Sequence, residues 1–241
     1  MNALEVRNLV KNYSNFQAVK NISFSVTPNE IFSLIGPNGA GKSTTLKMIA
    51  TILSISEGDI EVFGISVGKE PEKVREIISY LPEEAGAYKN LTGQNYLEFM
   101  SAIYTDDKAK QQEYVKFGSE MTGLGDRLKD KIKSYSKGMT RKLLLARTVM
   151  TKPKLAILDE PTSGLDIINA LEIRKLVRQL AKEGMTVLLS SHNMLEIAFL
   201  SDRLAIIDKG EIKETGTSQE LLQKYQASNL EEVFTKLTQH T

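Results

Sequence analysis

The sequence predicts an α/β protein: a parallel-sheet core with a helical subdomain inserted into it. Three observations carry this. The run Glu30-Ile31-Phe32-Ser33-Leu34-Ile35 reads as a buried strand; it leads into Gly36-Pro37-Asn38-Gly39-Ala40-Gly41-Lys42-Ser43-Thr44, and Thr44 to Thr51 read as a helix with Leu46, Ile49 and Ala50 on one side. That strand–loop–helix frame surrounds a full match to the phosphate-binding pattern G-x-x-x-x-G-K-[ST]. A second run, Leu155-Ala156-Ile157-Leu158-Asp159, is almost unbroken in its apolar character, as parallel strands covered on both faces are. Between Thr92 and about Met150 the apolar residues recur instead at helical spacing.

Composition bounds the function. The 241 residues suit one large α/β domain or a core with a subdomain, and 41% apolar residues can fill a substantial core. Basic residues number 31 and acidic ones 30, so nothing favours an electrostatically driven nucleic-acid binder. Without cysteine there is neither a disulfide nor a thiolate metal site. No apolar run reaches the roughly 18 residues that cross a bilayer. Met1-Asn2-Ala3-Leu4-Glu5-Val6-Arg7 lacks the apolar centre of a signal peptide. The protein is expected to be soluble by itself, with any membrane role coming through a partner.

In chain order, residues 3–10 and 21–27 alternate as half-buried strands do, with Leu4, Val6 and Leu9 in the first and Ile22, Phe24 and Val26 in the second. Tyr13 lies between them, on a polar loop, where its ring could stack on a base; a surface or edge tyrosine is the reading its surroundings favour. Residues 57–67 read as a short strand pair turning at Gly64, and 71–77 as a short helix that tolerates Pro71 in its first turn. Ile77 to Leu81 is a strand ending at Pro82, followed by a loop, Glu83 to Tyr88. Tyr96, Leu97, Phe99, Met100, Ile103 and Tyr104 mark one helix, broken at Thr105-Asp106-Asp107. Another runs from about Lys108 to Thr122, ended by Gly123 and Gly125, and a third starts after Tyr135-Ser136. Beyond Asp159 come a helix (Ile167 to Glu183), a strand (Thr186 to Ser191), a helix, two strands (Arg203 to Ile207, Glu211 to Thr215) and a polar helical tail.

The glycine stretch has a definite chemistry. Gly36, Gly39 and Gly41 let the backbone come close to phosphates, and the loop N–H groups and helix N-terminus face the anion. Lys42 places an ammonium on the β- and γ-phosphates, and Ser43 offers a hydroxyl to Mg²⁺, a hard cation. Asp159 and Glu160 stand at the carboxyl end of an apolar strand, the edge where open α/β sheets bind ligands. Asp159 can hold the Mg²⁺ shell; Glu160 can orient or deprotonate an attacking water.

With these residues in place, the chain resembles the nucleotide-binding subunits of ATP-binding cassette (ABC) transporters from residue 3 to about 217. The carriers stand in the family's order: Tyr13, Gly36 to Thr44, Leu81-Pro82-Glu83-Glu84, Tyr135-Ser136-Lys137-Gly138-Met139, Leu155 to Pro161, Ser163-Gly164-Leu165-Asp166, and His192. Leu81-Pro82-Glu83-Glu84 and Tyr135 to Met139 are similar to the small exporter-type cassettes, which include sodium-extrusion and drug-resistance ATPases. The resemblance implies a P-loop NTPase with a RecA-like core, an N-terminal antiparallel β region and a helical arm over about 84–150. It implies ATP and Mg²⁺ as ligands, and a head-to-tail dimer, with itself or a paralogue, that sandwiches two nucleotides. On it Tyr13 becomes a base-stacking residue, and Val19, Asn38, Gly39, Ala40, Gly41, Lys42, Ser43 and Thr44 join it at the nucleotide.

The resemblance further implies that Ser136 and Gly138 of the second subunit complete the phosphate site. They are the residues kept from the family's usual Leu-Ser-Gly-Gly-Gln; Tyr135, Lys137 and Met139 depart from it. Ser136 is also an ordinary N-cap candidate. On the same resemblance His192 is expected to sense the γ-phosphate, and Asp166 to sit at the dimer seam; Asp166 can also cap the helix after it, and both can hold. Cassettes usually have glutamine where Glu83 stands; its carboxylate is a further metal candidate, with Glu84 as the substitute.

The expectation is therefore Mg²⁺-dependent ATP hydrolysis by Lys42, Glu160 and His192. It drives transport, in the export direction by subgroup, through a separate membrane permease at the cytoplasmic face of the membrane. The permease is expected beside Tyr88 to Tyr104. A soluble cassette of translation or DNA repair is the competing reading, against which stand one phosphate loop and no coiled-coil insertion. A small-molecule kinase is a third; it needs neither Ser136-Lys137-Gly138 nor His192. Residues 1–217 form the expected ATPase domain and 218–241 a helical tail that packs on its own domain or serves dimerisation.

Overall fold

Alternating apolar residues on either side of a two-residue turn make the first two strands a hairpin. The computed structural model describes residues 1–238. In it β1 (Leu4–Tyr13) and β2 (Phe16–Val26) pair antiparallel from Leu4↔Val26 to Tyr13↔Phe16, with Ser14 left-handed at the turn, φ 43°. Both strands run further than their alternation suggests, because register shifts between Val6 and Asn12 interrupt the period of two. Tyr13, expected on a loop, is the last residue of β1.

β3 (Ile31–Ile35) and α1 (Lys42–Ile49) follow, then β4 (Glu57–Val62) and β5 (Ile65–Ser66). The strands β2-β1-β4-β5 form an antiparallel sheet. After α2 (Pro71–Arg75) and β6 (Ile78–Leu81), the chain leaves for the helical arm. There α3 (Gly93–Tyr104) is capped by Thr92, whose Oγ1 accepts from Asn95 N at 3.1 Å. α4 (Lys108–Thr122) starts at an Asp107 cap and stops at left-handed Gly123, φ 60°. Gly125 does not share in that stop; it opens a 3₁₀ turn, Gly125–Lys129. α5 (Lys137–Val149) returns the chain to the core.

The remaining elements are β7 (Leu155–Leu158), α6 (Ile167–Lys182), β8 (Thr186–Ser191), α7 (Met194–Leu200), β9 (Arg203–Asp208), β10 (Glu211–Gly216), α8 (Ser218–Lys224) and α9 (Leu230–Thr238). They complete a six-stranded sheet in the order β10-β9-β3-β8-β7-β6, parallel from β9 to β6, with β10 antiparallel at one edge.

Side-chain alternation divides this sheet's burial between two cores. Phe32, Leu34, Leu155, Ile157 and Leu188 face the antiparallel sheet and α1; Ile31, Ile35, Ala156, Leu158, Val187 and Leu189 face the helices. Both faces are covered, so the strands read as unbroken apolar runs. The parallel strands also share one carboxyl edge: Ile35 lies opposite Ser191 and Leu81 opposite Leu158, with β8 running two residues past β7. Gly36, Pro82, Asp159 and His192 therefore all emerge at one sheet edge.

The tail is two helices, and it packs on its own chain. Leu221, Leu230 and Val233 are buried in the helix-side core with Ile197, Leu200 and Leu204. Residues 239–241 of the expected tail lie outside the described residues.

Candidate active site

The loop between β3 and α1 takes its shape from three glycines with different reasons. A Cβ at Gly36 would collide with the carbonyl oxygen of Ile207, so this glycine allows β9 to pass, not a phosphate to approach. Gly39 and Gly41 have φ of 81° and 103°, which favour glycine. Ala40 is buried, and its N–H already donates to Pro37 O at 3.2 Å, so it is not one of the free cradle amides. Asn38, Gly39, Gly41, Lys42, Ser43 and Thr44 line a cleft of about 360 Å³ with Tyr13, Phe16, Ala18, Glu83 and Glu160.

Val19 is absent from that wall. Strand alternation turns it into the core, fully buried, so Ala18 rather than the expected Val19 lines the cleft. Tyr13 and Phe16, paired across the hairpin and 42% and 63% exposed, form an aromatic wall at this end of the cleft.

Lys42 is buried, and its Nζ donates to Gly36 O (2.8 Å) and Pro37 O (3.1 Å) and lies 3.4 Å from Glu160 Oε1. Ser43 Oγ donates to Asp159 Oδ1 at 2.9 Å. Asp159 also accepts from Ser190 Oγ (2.6 Å) and Tyr80 OH (3.1 Å). Burial, and then the Asp159 charge, push the Tyr80 phenol well above its ordinary range, so it stays a donor. A hydroxyl and a carboxylate oxygen side by side are the donors that Mg²⁺ takes, and the chemistry of this pair fits that ion.

Glu160 has φ 47°, a left-handed conformation that costs a non-glycine residue on the order of 1 kcal/mol or more. Ser190 Oγ accepts from its N–H at 3.0 Å. Its Oε2 lies 2.9 Å from His192 Nδ1, and because an ionised carboxylate only accepts, Nδ1 is the donor. Its Oε1 is buried with the Lys42 ammonium nearby but no hydrogen bond. A buried carboxylate oxygen without a donor, at the cleft wall, is an acceptor held ready.

Behind this edge stands Arg141 of α5, which sequence reading passed over. It is buried, and its guanidinium donates to the carbonyls of Pro82, Glu83, Asp159, Glu160 and Pro161 at 2.6–3.3 Å. The signal was available: Gly138, Arg141 and Leu145 share one helix face, and the other two are small or apolar. Tyr80, Ser190 and Phe16 were also missed; a buried hydroxyl closing the run Val187-Leu188-Leu189-Ser190 was the clue to Ser190.

The sequence profile of the ABC transporter family matches residues 19–163, more than half of the chain. The chain belongs to the ABC transporter family. The cassette is 41% identical over 218 residues to the linearmycin resistance ATP-binding protein LnrL of Bacillus subtilis, covering 90% of this chain and 70% of that one. It is 38% identical over 219 residues to the daunorubicin/doxorubicin resistance ATP-binding protein DrrA of Streptomyces peucetius, covering 91% and 66%. Its fold superposes on a solved ATP-binding subunit of an ABC transporter with a TM-score of 0.85 at 29% identity, covering 98% and 99% of the two chains. It is an ATP-binding subunit of an ABC transporter, and an ATPase.

The cassette's remaining candidate residues lie along α5 and α6. Ser136 caps α5, its Oγ accepting from Met139 N at 3.1 Å. Gly138 is pressed against Asn169, and a Cβ there would collide with that amide. Asp166 caps α6, accepting from Asn169 N (2.9 Å) and Nδ2 (2.6 Å), and these bonds, the backbone one foremost, hold its carboxyl below the usual range. Ser136, Gly138 and Asp166 are outside the cleft wall of their own chain. Glu83 reaches that wall, but its Oε1 accepts from Ser163 Oγ at 3.1 Å.

Proposed function

We propose that this chain is the motor of an exporter-type transporter, working as a head-to-tail pair beneath a separate membrane subunit. The observation that carries the hydrolytic role is Glu160: one carboxylate oxygen fixed by His192, the other buried, without a donor, at the cleft. A water beside the γ-phosphate would donate to Oε1 and be oriented for in-line attack. Lys42 and the loop amides hold phosphate charge, and Tyr13 with Phe16 holds the base by stacking. Ser43 and Asp159 would hold Mg²⁺, with Glu83 as a third oxygen donor, and the ion would neutralise charge on the phosphates.

The pair is supported by the placement of Ser136 and Gly138. They lie at an electropositive helix start that their own cleft does not use, and a second subunit can turn that end onto its partner's nucleotide. Export is supported by the resistance proteins among the relatives. No helix among the described residues is long and apolar enough to cross a membrane. A membrane subunit is matched instead by Tyr88, Phe99, Ile103 and Tyr104, which leave an aromatic face of the arm exposed.

Glu160→Gln is expected to keep nucleotide affinity and lower turnover about 10²-fold or more, as loss of a general base does. With Mg-ATP the variant should accumulate as a dimer in light scattering. Wild-type turnover, or a variant that stays monomeric, would remove Glu160 from this role.

A further inference from the structure

Arg141 is a buried cation that the proposed chemistry does not use. Its five hydrogen bonds all go to backbone carbonyls: Nε to Pro161 O (2.7 Å), Nη1 to Pro82 O (3.3 Å) and Glu83 O (3.0 Å), Nη2 to Asp159 O (3.2 Å) and Glu160 O (2.6 Å). These oxygens belong to the segments that leave β6 and β7, two neighbouring strands ending level. One planar group thus ties together the carbonyls of Glu83, Asp159 and Glu160. Burial works against its charge, while the carboxylates of Glu83, Asp159 and Glu160 favour it. The group has kept a charge in a buried place, where an apolar residue of similar length would pack without it.

Glu160 shows what that charge secures. Its backbone is left-handed, φ 47°, and the chain on both sides is pinned by Arg141 through Asp159 O, Glu160 O and Pro161 O. Ser190 Oγ holds the N–H side. With the backbone fixed from both directions, the carboxylate is aimed between Lys42 and His192. The anchor itself sits on α5, the helix that Ser136 caps, two turns or less from that cap.

We propose that Arg141 is a positioning residue for ATP hydrolysis: it holds the Glu160 backbone so that the carboxylate meets the attacking water, and it transmits to that carboxylate any shift of the helix that carries Ser136. This rests on the reading of Glu160 as the group that acts on water. Arg141 itself does not line the cleft; it reaches the cleft only through the backbone of Glu83 and Glu160.

The test is steady-state and single-turnover ATPase kinetics of the full chain carrying Arg141→Met, Arg141→Gln or Arg141→Lys, each alone and with Glu160→Gln. Misplacing a reacting group by an ångström lowers rates about 10²-fold, so Arg141→Met should lose about 10- to 100-fold in kcat. KM, and the affinity for a fluorescent ATP analogue, should stay within about threefold, since the phosphate loop is untouched. Arg141→Lys keeps the charge without the planar fork and should recover part of the rate. In the Glu160→Gln background the further loss from Arg141→Met should be less than about threefold, because the group being aimed is already gone.

Losses that multiply in the double variant would overturn the proposal, as would a change confined to KM. Should the Met variant fail to fold, the Gln and Lys variants carry the same comparison. A single Glu160→Gln variant at full rate would instead overturn the reading of Glu160, which keeps the two failures distinct.

Discussion

Glu83 is the residue where this chain departs most pointedly from a neutral amide at the metal edge. Its carboxylate accepts from Ser163 Oγ at 3.1 Å, its carbonyl from Arg141 at 3.0 Å, and it lines the cleft with Ser43 and Glu160. A glutamine could still accept from Ser163, so the local hydrogen bonds survive substitution. What is lost is a full negative charge near the triphosphate. Glu83→Gln is therefore expected to leave ATPase activity within about threefold while weakening the preference for Mg-ATP over metal-free ATP. ATP affinity measured with Mg²⁺ and with a chelator checks this. An equal ratio in both proteins would mean that Glu83 is not a metal ligand.

At the level of the element, α5 serves three surfaces. Its N-terminus carries Ser136, its buried face carries Arg141, and Leu143, Leu144 and Leu145 anchor it in the helix-side core. Ser136→Ala removes an N-cap and is expected to lower stability by about 1 kcal/mol. A larger effect is expected on activity if the cap also meets the partner's nucleotide. Ser136→Ala and Lys42→Ala should each be inactive alone. Mixed in equal amounts, they should regain up to about a quarter of wild-type sites, since half of the pairs are mixed and each such pair has one unblemished site. ATPase assays of the mixture measure this. An active Ser136→Ala homodimer would contradict contact across the pair.

For the whole molecule, the tail is part of the core. Leu230 and Val233 are fully buried and Leu221 nearly so, against residues of α7 and β9. Leu230→Ala removes a large side chain from a packed site and should cost about 2–5 kcal/mol. For a chain of this size that is a fall in Tm of roughly 5–15 °C. Thermal unfolding by circular dichroism tests it, and an unchanged Tm would show that α9 leaves the core without consequence. The two cores flank one six-stranded sheet, so the tail supports the sheet from the face opposite the hairpin and α1.

The sequence by itself determined the order of elements and the heart of the site. Hydrophobic period, turn residues and the glycine motif are local, and so are the conformations they impose: the strand before Gly36, the stops at Thr105 and Gly123, and the acidic pair after Leu158 lie where they are read, and the helix read from Thr44 to Thr51 is present but starts and ends two residues earlier, Lys42–Ile49. Only the tertiary structure decided which way Val19 faces, because an irregular hairpin register has no reliable period to count. It also decided that Gly36 makes way for Ile207, that Arg141 binds two strand ends, that Glu160 is left-handed and that the tail packs inward. Each of these joins segments far apart in the chain. Such contacts depend on how sheets and helices stack, and no local run of residues carries that information.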